Sequence, residues 1–166
     1  MNLIKLVEKQ KYLDGIIKEE CGLEQEYLQN KKILALLVEI GECCNEIQEF
    51  KFWKKNITKD DSKIKEELVD ILHFILSIGI ESNMDFHQVS KYAFNKADPS
   101  DELNYSFLRL YNATIDFYWN SDMDNYIKIL QYYNDIVDKL GLTPTDIEEE
   151  YNRKNNINLE RQENGY

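Results

Sequence analysis

The scarcity of helix-breaking residues constrains the fold of this chain more than any other feature of the sequence. Its 166 residues include only 6 Gly and 2 Pro, whereas a β-sandwich or barrel uses turn residues at every hairpin. Apolar residues recur instead at the spacing of one helical face, as in Leu3, Leu6, Val7 and Leu13. The length is that of one domain. We therefore predict an all-α fold, a single-domain helical bundle formed by residues 1–166.

Capping residues and breaks divide this bundle into successive helices. The first helix has its apolar stripe from Leu3 to Ile17, the second covers 33–54, and the third runs from a cap at Asp61 or Ser62 to about residue 81. The fourth begins at Asp85, and the fifth follows a break at 98–100, with Ser100 as its cap, and ends near Trp119. The sixth runs from a capping box at Ser121 to Gly141, and the seventh begins with Thr143 as cap and Pro144 at its first position. The tail after Asn155 is either helix or ordered coil.

The charge balance limits the partners of the chain. Lys and Arg total 20 and Asp and Glu total 31, so the net charge is −11. Such a surface repels a phosphate backbone, which disfavours nucleic-acid and anionic-membrane binding.

The longest nearly apolar stretch, 68–80, is too short to span a bilayer. No N-terminal signal is visible, and three Cys, of which Cys43 and Cys44 are adjacent, suit reduced thiols. We expect a cytoplasmic location.

Two pairs of acidic residues are the most informative motif. Glu39 and Glu42 lie three residues apart in the second helix, and Glu67 and Asp70 do so in the third. Residues at this spacing share a helical face, with Cβ atoms about 5–6 Å apart. Both pairs are embedded in apolar sequence, so facing helices could present four carboxylates to one cluster. Such a cluster needs cations, and hard oxygen ligands suit Mg²⁺ or Mn²⁺.

Other interpretations of these acids stay open. They are also compatible with the solvated faces of an acidic helical interaction protein, and further acids leave the inward-facing positions ambiguous: Glu46, Glu49 and Glu66. A di-iron bundle would need Glu-x-x-His on two helices, and only Asp70 with His73 approaches that pattern. His73 is then a metal ligand, the partner of one, or a packed core residue. A Gly-rich phosphate loop is missing from the sequence.

The acidic pairs, the aromatic segment after the first pair and the end of the chain together resemble the dimeric, all-α dUTP pyrophosphatases (dUTPases), relatives of the MazG-type nucleotide pyrophosphatases. The matching segments are 10–14, 38–54, 67–70 and the C-terminal Tyr151, Lys154, Asn155, Asn158, Arg161, Gln162, Gly165 and Tyr166. The resemblance implies a homodimer that uses Mg²⁺, or Mn²⁺ as a substitute, to cleave dUTP between the α- and β-phosphates. It extends to dUDP or dCTP as further substrates, and a broader MazG-like activity is the alternative.

The resemblance also implies roles for single residues. The ligands of Mg²⁺ would be Glu39, Glu42, Glu67 and Asp70, and one carboxylate of the first pair, Glu39 or Glu42, would orient or deprotonate the attacking water. The phosphates would contact Lys154 and Arg161. The nucleotide would be held by Gln10, Asp14, Trp53, Asn158 and Tyr166, with Gln10 and Trp53 lining the base pocket. Some relatives have Asn in place of Asp14, and an ionised Asp offers only acceptors, which bears on the choice of pyrimidine.

Overall fold

The computed structural model describes residues 1–94 and 102–165, and within these ranges the chain forms seven helices and no strand. The predicted all-α fold is confirmed. The helices are α1 Leu3–Glu20, α2 Gln29–Ile47, α3 Asp61–Glu81, α4 Phe86–Tyr92, α5 Leu103–Trp119, α6 Met123–Lys139 and α7 Pro144–Glu163. The main pairs are α2 with α3 and α5 with α6, and α1 and α7 pack on α3 and on each other.

Helix α3 is the centre of the bundle because its second half is buried on nearly every side. Its buried residues run without a break from Ile75 to Gly79, and it contacts α1, α2, α6 and α7. Gly79 lets α6 approach closely, since a Cβ there would overlap the ring of Tyr126 and lie 2.9 Å from the ring of Phe86. The Tyr126 hydroxyl donates to the Ile75 carbonyl at 2.9 Å, which fixes α6 against α3.

The end of α2 differs from the prediction. The helix stops at Ile47 instead of residue 54, because Gln48 adopts a left-handed conformation with φ of 60° and its N–H bonds to the Cys44 carbonyl. A left-handed residue at this position is a common helix terminator and is usually Gly. Because the residue here is Gln, the sequence did not indicate the end of the helix. Trp53 consequently lies in the loop between α2 and α3.

Two predicted N-caps are displaced to a neighbouring Asp. Asp60 caps α3 by accepting from the N–H groups of Ser62 and Lys63, and Asp122 caps α6 by accepting from Asn125. Runs of capping-type residues compete for one helix start, and the sequence alone does not rank them.

Two helix starts also differ from the prediction: α2 begins at Gln29 instead of residue 33, and α5 begins at Leu103 with Glu102 at its N-cap position, whereas the prediction placed the cap at Ser100. The other boundaries agree with the prediction where the structure describes them. Asp85 caps α4, and Thr143 and Asp146 form a capping box before α7 with Pro144 at its first position. Gly141, at φ of 73°, terminates α6. The tail after Asn155 is helical to Glu163, and the predicted break at 98–100 lies outside the described residues.

Candidate metal centre between α2, α3 and α7

Three carboxylates from two neighbouring helices meet at the surface of the bundle. Glu39 comes from α2, and Glu67 and Asp70 come from α3. One oxygen of each lies within 4.8 Å of the others, and all three residues are half-buried. The arrangement follows from the close packing of α2 along α3, which turns the acidic face of each helix towards the other.

Glu42 lies one turn beyond Glu39 on α2 but is exposed and does not belong to this group of three. Its negative charge nevertheless acts on Glu39 and Glu67 and raises the pKa of both. The structure thus brings three of the four predicted carboxylates into one cluster and leaves the fourth at its edge.

The electrostatics of the cluster favour a bound cation. Burial is the main cause that raises the pKa of Glu39 to about 7, and the charges of Asp70, Glu42 and Glu67 add to it. Burial and the charges of Asp70 and Glu42 likewise raise the pKa of Glu67 to about 7. Burial also raises the pKa of Asp70, against the opposing effect of Lys154. These mutually repelling oxygen ligands can hold a metal ion, and an all-oxygen donor set suits a hard divalent ion.

Lys154 of α7 closes one side of the cluster. Its Nζ lies 2.7 Å from Asp70 Oδ2 and 2.6 Å from Glu66 Oε1, and its side chain is only 9% exposed. Burial lowers the pKa of Lys154, but the hydrogen bonds to Asp70 and Glu66 outweigh this effect and raise it. Glu66, one of the ambiguous acids of the sequence, is therefore the partner of the lysine rather than a member of the three-carboxylate group.

The other predicted residues of the C-terminal segment follow Lys154 along α7. Asn158 is half-buried, and Arg161 is exposed two turns beyond Lys154. The pKa of Glu66 is lowered first by its hydrogen bond with Lys154, and the positive charge of Arg161 contributes to the same effect. The face of α7 towards the acidic cluster is thus cationic. Tyr166 lies outside the described residues.

Trp53 lies in an exposed aromatic loop that follows α2. Its side chain is 62% exposed. The ring centroid of Phe52 lies 5.1 Å from that of Trp53 and the centroid of Phe50 lies 6.0 Å away, both in edge-on geometry. The indole is therefore largely exposed on the protein surface.

Gln10 is placed in the interior, where its amide has three partners. The residue is 3% exposed. Its Nε2 donates to Asp14 Oδ1 at 2.7 Å, and its Oε1 accepts from the Tyr151 hydroxyl at 2.7 Å and lies 2.7 Å from Nδ1 of His73. The prediction did not anticipate this network, in which Tyr151 and His73 connect α7 and α3 to α1.

Asp14 is tied to a buried ion-pair network. Its Oδ2 accepts from Lys32 Nζ at 2.9 Å and from Ser77 Oγ at 2.5 Å, and Lys32 also pairs with Glu81 at 2.8 Å. Both oxygens of Asp14 therefore have partners from the protein. The sequence did not indicate that Lys32 and Glu81 form buried ion pairs, because single charged residues on helices are usually solvated.

His73 lies one turn beyond Asp70 on α3 and packs as a neutral ring. Its imidazole stacks on the Tyr151 ring with centroids 4.2 Å apart and an interplanar angle of 20°. Burial, aided by the positive charge of Lys154, lowers the pKa of His73 to about 3.

This fold and site define an all-α protein with an acidic metal-type centre on two facing helices and a cationic third helix beside it. Opposite charges at that spacing suit an enzyme that acts on phosphate groups, since a metal ion and basic side chains can share their oxygens.

The comparison with known families gives the particular class. A family model described as dUTPase matches residues 2–166, and the chain belongs to that family. Its activity is accordingly the hydrolysis of dUTP, and the resemblance noted from the sequence is confirmed. None of the curated proteins compared with this chain matches it. Among the described residues, no helix combines the length and the apolar character that crossing a membrane requires.

Proposed function

We propose that this chain is a Mg²⁺-dependent dUTP diphosphatase that releases dUMP and pyrophosphate. The observation that carries the proposal is the approach of Glu39, Glu67 and Asp70 to within 4.8 Å of one another in a chain of the dUTPase family. Carboxylate oxygens alone select a hard ion, for which Mn²⁺ is a workable substitute. The three free cysteines suit a reducing compartment, and the proposal places the enzyme in the cytoplasm.

The proposed metal ligands are the three clustered carboxylates, with Glu42 at the edge of the site. When bound, the ion supplies positive charge to the triphosphate and acidifies the attacking water. Glu42 is exposed beside the cluster and is not one of its three members, so its carboxylate is the one with oxygens left to take the proton of that water. Glu39 would hold the same water in place from the preceding turn of α2.

The cationic face of α7 is the proposed phosphate site. Lys154 already bonds to Asp70 and Glu66 at the rim of the cluster, and Arg161 can approach phosphate oxygens in bidentate geometry. A triphosphate carries about four negative charges, which a chain of net charge −11 repels without such compensation.

The nucleoside end of the site is assigned to the remaining predicted residues. The exposed side chain of Trp53 offers a stacking surface for a base, and base–aromatic stacking contributes about 1–3 kcal/mol. Gln10 and Asp14, which are joined by a hydrogen bond on α1, are proposed to line the nucleoside end from that side. Asn158 is proposed to hold the nucleotide from α7, and the same role is proposed for Tyr166, which lies outside the described residues.

An apolar surface shared by α2 and α5 supports the proposed homodimer. The Tyr111 hydroxyl donates to the Leu37 carbonyl at 3.1 Å and joins the two helices. Exposed apolar side chains flank this contact on both helices, namely Leu34, Val38, Leu108 and Ile115. A patch of this kind is typical of a subunit interface, and a second copy of the same chain can cover it by twofold symmetry.

Pyrophosphate release from a panel of nucleotides tests the proposal. We expect turnover of dUTP that requires Mg²⁺, is lost with a chelator and is restored by Mn²⁺. Pyrophosphate release from dCTP and orthophosphate release from dUDP, whose cleavage yields no pyrophosphate, define the substrate range, and ribonucleotides and purine nucleotides test for a broader activity. Absence of turnover with every nucleotide, or full activity in chelator, would contradict the proposal.

A further inference from the structure

One buried acceptor beside the acidic cluster has no partner in the described part of the chain. It is Nε2 of His73, a residue that is 6% exposed. An acceptor left unpaired in the interior is destabilising, so the nitrogen calls for a donor that these residues do not supply. His73 and Asp70 are three residues apart on α3 and share a helical face, and the charge of Lys154 acts on the imidazole. The unpaired nitrogen therefore belongs to the side chains that border the site.

The proton position on His73 follows from Asp14. Because Asp14 is paired with the Lys32 ammonium at 2.9 Å, its oxygens act only as acceptors. The amide nitrogen of Gln10 must therefore face Asp14, and Gln10 Oε1 must face His73 Nδ1, each at 2.7 Å. A carbonyl oxygen cannot donate, so the imidazole proton sits on Nδ1.

Neither protonation of the imidazole nor a 180° flip of the ring is compatible with the contacts of His73. An imidazolium would need a second acceptor at Nε2, and the residues that the structure describes provide none there. A flipped ring would turn a C–H group towards Gln10 Oε1, which also accepts from Tyr151 at 2.7 Å. The stacked Tyr151 ring, 4.2 Å away, keeps the imidazole plane in place.

We propose that Asp14 is a positioning residue which, through Gln10, holds His73 in the Nδ1–H tautomer, so that His73 Nε2 accepts a hydrogen bond from an N–H or O–H group of the nucleoside. The inference rests on the proposed function and deepens it, since it names a determinant of substrate choice. Two groups of dUTP have the required chemistry, namely the N3–H of uracil and the 3′-hydroxyl of deoxyribose. In the first case the same nitrogen discriminates against cytosine, whose N3 is an acceptor.

The tautomer is tested first, on the protein without nucleotide. The chain has 2 His, so ¹⁵N–¹H spectra of the imidazoles are assigned with a His87→Gln variant. We expect the proton of His73 on Nδ1 in the wild type and a mixture of tautomers in Asp14→Asn, whose amide no longer dictates the orientation of Gln10. Glu81→Gln is the matched control, since Glu81 also pairs with Lys32 but has no bond to Gln10. A proton on Nε2 in the wild type, or an unchanged tautomer in Asp14→Asn, would overturn the inference.

The donor is then identified with non-hydrolysable α,β-imido-dUTP in the presence of Mg²⁺. Two further probes each lack one donor: the 3′-deoxy form, and a 3-deazauracil form in which C–H replaces N3–H. We expect one probe to bind about tenfold or more weakly than the parent, and this ratio to shrink in Asp14→Asn but not in Glu81→Gln. The ¹⁵N signal of Nε2 should shift with the parent compound and not with that probe.

The outcomes separate this inference from the proposed function. Equal binding of all three compounds would mean that Nε2 holds only water, and a response of Nε2 to Mg²⁺ alone would make it a metal ligand. Either result overturns the inference and leaves dUTP turnover intact. Absence of dUTP turnover would instead contradict the proposed function, while the tautomer of His73 is measured independently.

Discussion

Lys154 Nζ lies 2.7 Å from Asp70 Oδ2, so α7 carries a counter-charge into the edge of the acidic cluster. The same ammonium bonds to Glu66 at 2.6 Å. Lys154 therefore links the two predicted parts of the site, the metal ligands of α3 and the phosphate contacts of α7.

Replacing Lys154 by Met should weaken substrate binding more than it weakens the fold. A hydrogen bond to a charged group contributes about 1.5–3 kcal/mol, so we expect KM for dUTP to rise about tenfold to a hundredfold. Lys65→Met is the control, because the ion-pair partner of Lys65 is Asp146, at 3.6 Å, which is not one of the three carboxylates. Steady-state kinetics measures KM, and circular dichroism checks that both variants are folded. Equal KM values in the two variants would exclude Lys154 from phosphate binding.

Replacing Glu67 by Gln should abolish turnover and yet raise the thermal stability of the metal-free protein. The substitution removes one of several like charges that raise the pKa of the neighbouring Glu39, and it leaves the volume unchanged. The wild type should gain stability on addition of Mg²⁺ by mass action, and the variant should gain little. Glu46→Gln, one turn beyond Glu42 on α2, is the control. Retained turnover in Glu67→Gln would exclude this carboxylate from the mechanism.

The metal-free protein should lose stability as the pH rises from about 4.5 to about 7. Glu39 and Glu67 have their pKa raised from 4.5 to about 7 in the folded chain, so in this window the folded state binds more protons than the unfolded state. Stability then falls with rising pH, and these groups add no further slope below or above the window. Urea unfolding in chelator at several pH values measures the effect. A double variant, Glu39→Gln with Glu67→Gln, should lose this slope, and the same slope in both proteins would contradict the assignment.

A charge placed on the apolar surface of α2 and α5 should separate the proposed dimer. Val38 is exposed beside the contact of Leu37 with Tyr111, so in a twofold interface Val38→Glu would bury an unpaired carboxylate in each subunit. Light scattering after gel filtration should give one subunit for the variant and two for the wild type. Tyr27→Glu, at another exposed apolar residue outside α2 and α5, should leave the dimer unchanged. A monomeric wild type would refute the dimer itself.

The sequence predicts the bundle and its acidic pairs because both depend on local periodicity. Helical spacing of apolar residues and an i, i+3 pair of acids are visible within one helix, and the packing of α2 on α3 needs only that both are amphipathic. The end of α2 at Gln48 depends on a left-handed backbone that a Gln does not announce.

The network around Asp14 illustrates what local patterns omit. Lys32 and Glu81 are 49 residues apart, and each resembles an ordinary surface charge until three helices bring them together. The bond from Gln10 to His73 spans 63 residues and depends on the same packing. Long-range polar contacts of this kind decide the fine structure of the site, and a single sequence does not encode them in any local spacing.

The packing of α3 against α6 can be tested with two glycines in matched helical settings. A Cβ at Gly79 would overlap the Tyr126 ring, whereas a Cβ at Gly15 of α1 would meet nothing within 4 Å. Gly79→Ala should therefore destabilise the protein by about 1–3 kcal/mol through overpacking. Gly15→Ala should instead stabilise it by about 0.5–1 kcal/mol, because Ala is the better helix former. Chemical unfolding of both variants measures the two effects, and equal changes of the same sign would contradict the close approach of α6 to α3 at Gly79.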